Sequence, residues 1–151
     1  MLLPHRCCCE YFVFSLFAEM QPEMQELQLY ALTNNGTVHR YPKGMILDAQ
    51  RMMPSGGDLT NPADREAIRM LEDNMIEVYG GTIIRKACAA SPTVDLSGKM
   101  IRHIHIPELG RELAEHGVTT LDLSRNQLCD FQGGVALAEA LKMSPMLQSL
   151  K

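Results

Sequence analysis

Two histidines, His103 and His105, stand one residue apart, and on an extended segment that spacing puts both rings on the same side. A zinc ion needs three or four ligands in converging geometry. His116 and Cys129 are the nearest supplements, and neither falls at a metal-motif spacing. The pair therefore reads as surface histidines in a loop, with no metal. Ser97-Gly98-Lys99 has the outline of a phosphate-binding loop. That loop also needs an earlier glycine and a hydroxyl after the lysine, so that backbone N–H groups and the ammonium surround the phosphate. Thr93 and Met100 hold those two places, and the motif fails. No Ser/His/Asp or Cys/His set is recognisable. Cys88, between Ala87 and Ala89, reads as a small buried residue. The chain is expected to be no enzyme and to carry no cofactor.

The whole sequence narrows the remaining classes. At 151 residues it is one domain's worth of material, and 46% hydrophobic content suffices for a core. A formal charge of -4 with no basic run longer than two residues argues against nucleic acid, whose binding leans on clustered Lys and Arg. The longest apolar stretch, residues 11–18, is closed by Glu10 and Glu19, and is too short for a transmembrane segment, which takes roughly 18–20 residues. Glu10 also interrupts what would otherwise resemble a signal peptide. Five cysteines, three of them consecutive at Cys7, Cys8 and Cys9, cannot all be disulfide-bonded with acceptable geometry, which favours a reduced intracellular, cytoplasmic chain. S-acylation of Cys7–Cys9, anchoring the chain to a membrane surface, is the less favoured reading. Asn35-Gly36-Thr37 is a glycosylation sequon that would matter only in a secreted chain.

Along the chain, residues 1–19 are atypical and read as a disordered N-terminus. Residues 20–90 read as an irregular, mainly α-helical N-terminal region. Met20, Met24, Leu27 and Ala31 recur at helical spacing, which predicts a helix over 20–33. The alternation of Leu27, Leu29 and Ala31 before Asn35-Gly36 leaves a hairpin open as the alternative. Residues 36–61 are rich in Pro and Gly and read as a linker. A helix over 62–79 follows, with Asn61 as N-cap, Pro62 in its first turn and Gly80-Gly81 as its end. Ile68, Leu71, Met75, Ile76 and Tyr79 form its apolar stripe. Residues 82–90 could be a short helix or a strand.

From residue 91 the pattern becomes a repeat. Thr93-Val94-Asp95-Leu96-Ser97 recurs 27 positions later as Thr120-Leu121-Asp122-Leu123-Ser124. Helical stretches follow at 108–117 and 135–142, with Leu109 and Leu113 matched by Leu137 and Leu141. A third copy opens at Leu147. Within a unit, Val118, Leu121 and Leu123 are expected to face inward, as are Val94 and Leu96 one copy earlier. Leu128 and Phe131 carry the chain to the helix, and Leu137 and Leu141 return it to the core. One unit cannot bury its own apolar face, whereas stacked units can. Asn126 is the diagnostic position, because its amide can pair backbone groups in the turn after the strand. Lys99 stands there in the earlier copy, which marks that copy as degenerate.

The run L-D-L-S-R-N-Q-L at 121–128, then Gly133-Gly134, A-L-A-E-A-L at 136–141 and Pro145, resembles the ribonuclease-inhibitor-like class of leucine-rich repeats. The resemblance covers residues 91–151 and is carried mainly by 118–146. It implies an α/β solenoid fragment with short parallel strands inside and helices outside, binding a protein partner on the concave strand face. Ran GTPase-activating proteins, tropomodulin-like actin cappers, nucleotide-binding immune receptors and axonemal repeat proteins are similar at this level, and cytoskeletal or axonemal settings enter with them.

On such strands the residues between the buried leucines point outward. These are Thr93, Asp95 and Ser97 on one rung, and Thr120, Asp122, Ser124 and Arg125 on the next. Parallel strands lie about 4.8 Å apart, which makes Asp95 and Asp122 neighbours of like charge unless a cation intervenes. Lys151 falls beside Asp122 on the third rung. The expected function is an interaction module that receives a partner's Lys or Arg on this surface. The alternatives are a solvated strand face, a regulatory activator of a small GTPase acting through Arg125, and an enzyme on residues 20–90, for which no catalytic set exists. The helix over 62–79 is expected to cap the first repeat with Ile68, Leu71 and Met75.

Overall fold

The computed structural model describes Met20 and residues 30–32, 38–40, 53–56, 61–128 and 131–151. Readings that fall on residues 1–19, on Asn35-Gly36 and on Cys129 lie outside them. The chain divides into two units, Met1–Met75 and Ile76–Lys151.

In the first unit, β1 (Tyr30–Leu32) pairs antiparallel with β2 (Val38–Arg40), Leu32 opposite Val38. The helix expected over 20–33 therefore does not extend through these residues, and the hairpin alternative describes them. Period-two alternation ahead of an Asn-Gly pair is a stronger local signal than a few helically spaced apolar residues. A strand also stands inside the segment read as a linker. A 3-10 turn at Pro54–Gly56 and another at Pro62–Asp64 precede α1 (Arg65–Ala90). Asn61 caps that start as expected, its side chain accepting the Ala63 N–H at 3.2 Å. Glu72, buried on α1, accepts the Ser55 N–H at 2.6 Å and the Ser55 hydroxyl at 2.5 Å.

Helix α1 does not stop at Gly80-Gly81, and residues 82–90 are its continuation. Glycine inside a helix costs roughly 0.5–1 kcal/mol relative to alanine. Here the missing side chains permit close approach. A Cβ on Gly80 would lie 2.7 Å from His105 Cδ2, and one on Gly81 would lie 3.1 Å from Glu108 Oε2. Arg85 pairs with Glu108 at the same seam. Of the expected apolar stripe, Ile76 and Tyr79 are fully buried and Ile68 and Met75 half-buried. Leu71 is 63% exposed, whereas Ile84 and Cys88, beyond the expected helix end, belong to the core of the second unit.

The second unit is a three-stranded parallel sheet with helices, in the order β3 (Thr93–Asp95), α2 (Ile106–His116), β4 (Thr120–Asp122), α3 (Phe131–Lys142), β5 (Ser149–Leu150). It is α/β in class. The register pairs Thr93 with Thr120, Val94 with Leu121 and Asp95 with Asp122, then Thr120 with Ser149 and Leu121 with Leu150. Strand alternation buries Val94, Leu96, Leu121 and Leu123 on one face, where Val118, Leu109 and Leu113 meet them. Leu128 and Leu137 are partly buried against that core, and Leu141 is half-buried. Phe131 is 87% exposed, so it does not lead the chain inward as expected. It is the first residue of α3, a position from which its ring stays in solvent. Between the helices, Gly110 meets Ala140, and a Cβ on Gly110 would sit 2.9 Å from that of Ala140.

The two histidines also depart from expectation. They lie in a 3-10 turn, His103–His105, that leads into α2, and His105 is buried. Cys88 is buried as read, a free thiol pushed up to about 11 by burial and then by Glu112.

Candidate partner-binding face

The turns that follow β3 and β4 share a left-handed residue at the matching place, and the first has a second at Met100, φ 55. Gly98 has φ 64 and Arg125, which occupies the matching place in the next copy, has φ 60. Left-handed backbone costs an L-residue roughly 1–2 kcal/mol, and the hydrogen bonds around the turn offset it. The Gly98 N–H donates to the Ser124 carbonyl at 2.9 Å, and the Leu96 N–H donates to the Asp122 carbonyl at 2.9 Å. Asn126 completes the joint. Its Oδ1 accepts the Ile101 N–H at 2.9 Å, while its Nδ2 donates to the carbonyls of Leu96 at 2.7 Å and Leu123 at 2.9 Å. One amide thus satisfies backbone groups in both copies. Lys99, its counterpart, follows β3, an edge strand of the sheet among the described residues.

With the turns fixed, the polar side chains fall into rows. Thr93, Thr120 and Ser149 form one row, and Asp95 and Asp122 stand opposite each other in the next, with Lys151 beyond. Thr93, Asp95 and Arg125 are exposed, and Ser97, Thr120, Asp122 and Ser124 are half-buried. Each aspartate turns one oxygen toward its own chain. Asp95 Oδ1 accepts the Ser97 N–H at 2.9 Å, and Asp122 Oδ1 accepts the Ser124 N–H at 2.8 Å. The second oxygen of Asp122 meets Lys151 Nζ at 3.1 Å.

Those bonds decide the charge state. Hydrogen bonds from Ser124, side chain and backbone, and then Lys151 hold the Asp122 carboxyl down at about 2. Hydrogen bonds from Ser97 likewise lower Asp95, against the opposing charge of Asp122. Both aspartates are therefore ionised at neutral pH despite facing each other. The like-charge contact that the repeat implies is real, and the turn N–H groups together with Lys151 are what make it tolerable.

Arg125 stands on the turn beyond β4, at the rim of these rows. One grouping escapes a motif search because it lies on a single helical turn: Glu112, Glu115 and His116 place ligand atoms within 4.8 Å of one another. Glu112 and His116 are an i,i+4 pair at 3.3 Å, and Glu115 and His116 are exposed, so the set reads as a polar pairing along one helical turn. Among the described residues no helix is long and apolar enough to cross a membrane. No protein-family model, no curated protein and no solved structure matches the chain.

Proposed function

We propose that residues 91–151 are leucine-rich-repeat units of the ribonuclease-inhibitor-like kind, and that they serve as an interaction module for a protein partner. The observation that carries this reading is the parallel register of β3, β4 and β5, which aligns Thr93 with Thr120 and Asp95 with Asp122 in a continuous polar surface. The two-copy clamp of Asn126 supports the repeat assignment, because it joins successive units through backbone groups that any stacked copy would present. Such a face, held by short rigid turns, binds without rearranging and so loses little entropy on association.

The partner brings a Lys or Arg to Asp95. Of the two facing carboxylates, Asp122 is already engaged by Lys151, while Asp95 is exposed and ionised. The chain is proposed to work inside the cell, a setting that agrees with its buried free thiol at Cys88.

Charge reversal tests the assignment. Proteins captured by the wild-type chain are identified, purified and titrated against wild type and Asp95→Lys/Asp122→Lys. Loss of a rim charge pair should weaken binding by about 5-fold or more at low salt, with a smaller loss at high salt. Equal affinity for both chains would remove the polar face from the binding surface.

A further inference from the structure

A buried imidazole lies at the seam between α1 and the start of α2. His105 is 3% exposed, and its ring fills the space left by the absent side chain of Gly80. Its Nδ1 accepts the backbone N–H of Arg102 at 2.9 Å. Its Nε2 is wholly enclosed, faces the Ile76 and Glu77 carbonyls, and completes no well-formed hydrogen bond. We propose that His105 is an acid-released latch, fastening the C-terminal half of α1 to the first turn of α2 only while its imidazole is neutral.

The argument begins with the lone pair. An Nδ1 that accepts an N–H carries no proton, so the ring is the neutral tautomer with its hydrogen on Nε2. Taking up one proton places a hydrogen on Nδ1 aimed at the Arg102 N–H. That loses the acceptor, sets two donors against each other, and leaves the turn's N–H without a partner. The ring cannot swing aside within the fold, because α1 closes over it at Gly80. Relief requires the seam to open and the imidazolium to reach water.

The surrounding charges do not reverse this. Burial disfavours the imidazolium most, and Arg102 on the same turn adds to it; Glu77 and the two carbonyls on α1 act in the opposite direction. On α2, Glu108 is paired with Arg85 and Glu112 with His116. Helix α3, which also packs against this turn, carries Glu139 and Lys142, both exposed. The balance holds the His105 proton affinity below the ordinary imidazole range. A group depressed in the folded state contributes stability that is complete above its unfolded value, near 6.5, and is lost as pH falls below it.

The test uses the full chain with isotope-labelled histidine. Nitrogen NMR should show His105 as the Nε2–H tautomer, with a titration midpoint below that of the same chain unfolded in urea. The protection of the Arg102 amide against exchange should fall along the same curve. In parallel, urea denaturation of wild type and His105→Asn is compared between about pH 7 and pH 5, asparagine keeping an acceptor oxygen near the Nδ1 position. The wild-type unfolding constant should rise more steeply, by up to about tenfold per pH unit for one proton. Equal pH slopes in the two chains would overturn the proposal. So would an Nδ1–H tautomer or a raised midpoint in wild type alone, a result that stands even if the variant does not fold.

Discussion

The Asn126 side chain and the Leu96 carbonyl meet at 2.7 Å across 30 residues of sequence, which makes one amide a bond between successive copies. The same side chain accepts from Ile101 and donates to Leu123, so it serves backbone groups on both turns. Asn126→Ala strips the Ile101 N–H and the Leu123 carbonyl of this partner in a half-buried turn, while the Leu96 carbonyl keeps the Lys99 N–H at 3.3 Å. An orphaned buried group costs roughly 1–3 kcal/mol, and partial access for water limits the total to about 3 kcal/mol. Urea denaturation checks this; a loss below about 1 kcal/mol would mean that water replaces the amide without penalty.

Gly110 and Ala140 make the second joint between copies. Replacing a helical glycine by alanine ordinarily stabilises by about 1 kcal/mol. At Gly110 the new methyl would lie 2.9 Å from the Cβ and 3.0 Å from the Cα of Ala140, the latter an atom that cannot rotate away. Gly110→Ala should instead destabilise by about 1–3 kcal/mol through overpacking. Adding Ala140→Gly should recover part of that, and a double-mutant cycle would read the coupling.

The acid behaviour of Asp122 can be followed by carboxyl NMR. Its folded value, about 2, lies below the ordinary aspartate value. The stability it contributes is present above the unfolded value near 3.9 and drains away as pH falls toward the folded one. Ser124 is the larger cause and Lys151 the smaller. Lys151→Met and Ser124→Ala should each raise the Asp122 midpoint only in part, because the residue-124 backbone N–H still donates to the carboxylate in both variants. A midpoint restored to the unfolded value by Lys151→Met alone would assign the shift to the ion pair.

Helix α1 separates two substitutions that look alike in sequence. Leu71→Asp, at a 63% exposed position, should leave thermal stability within about 0.5 kcal/mol of wild type. Ile84→Ala, in the core of the second unit, should cost about 2–5 kcal/mol. Calorimetry on both variants decides which half of the helix closes the sheet.

The repeat was legible because its signal is periodic and redundant. Thr93 to Ser97 and Thr120 to Ser124 repeat residue for residue in kind, so register, burial and the facing of Asp95 with Asp122 follow from a single offset. The remainder depended on contacts with no sequence signature. Gly80-Gly81 has the form of a helix end, and only His105 and Glu108 arriving from residues 103–108 turn it into a seam. His105 itself reads as a surface loop residue until that seam exists. The pairing of β1 with β2 stood only as the alternative, because apolar residues at helical spacing overlap the period-two alternation in the same short segment. Phe131 misled for a different reason. Large aromatics usually sit inside, and nothing local reveals that this one opens a helix facing water.

Glu72 carries a consequence for anyone trimming the protein. Its carboxylate is enclosed, and its hydrogen-bond donors come from Ser55, 17 residues upstream. A truncation starting at Asn61 would keep the helix cap yet strip that carboxylate of its donors, and the first turns of the helix would fray to rehydrate it. A fragment starting ahead of Met53 should give a longer protease-resistant core than one cut at the cap.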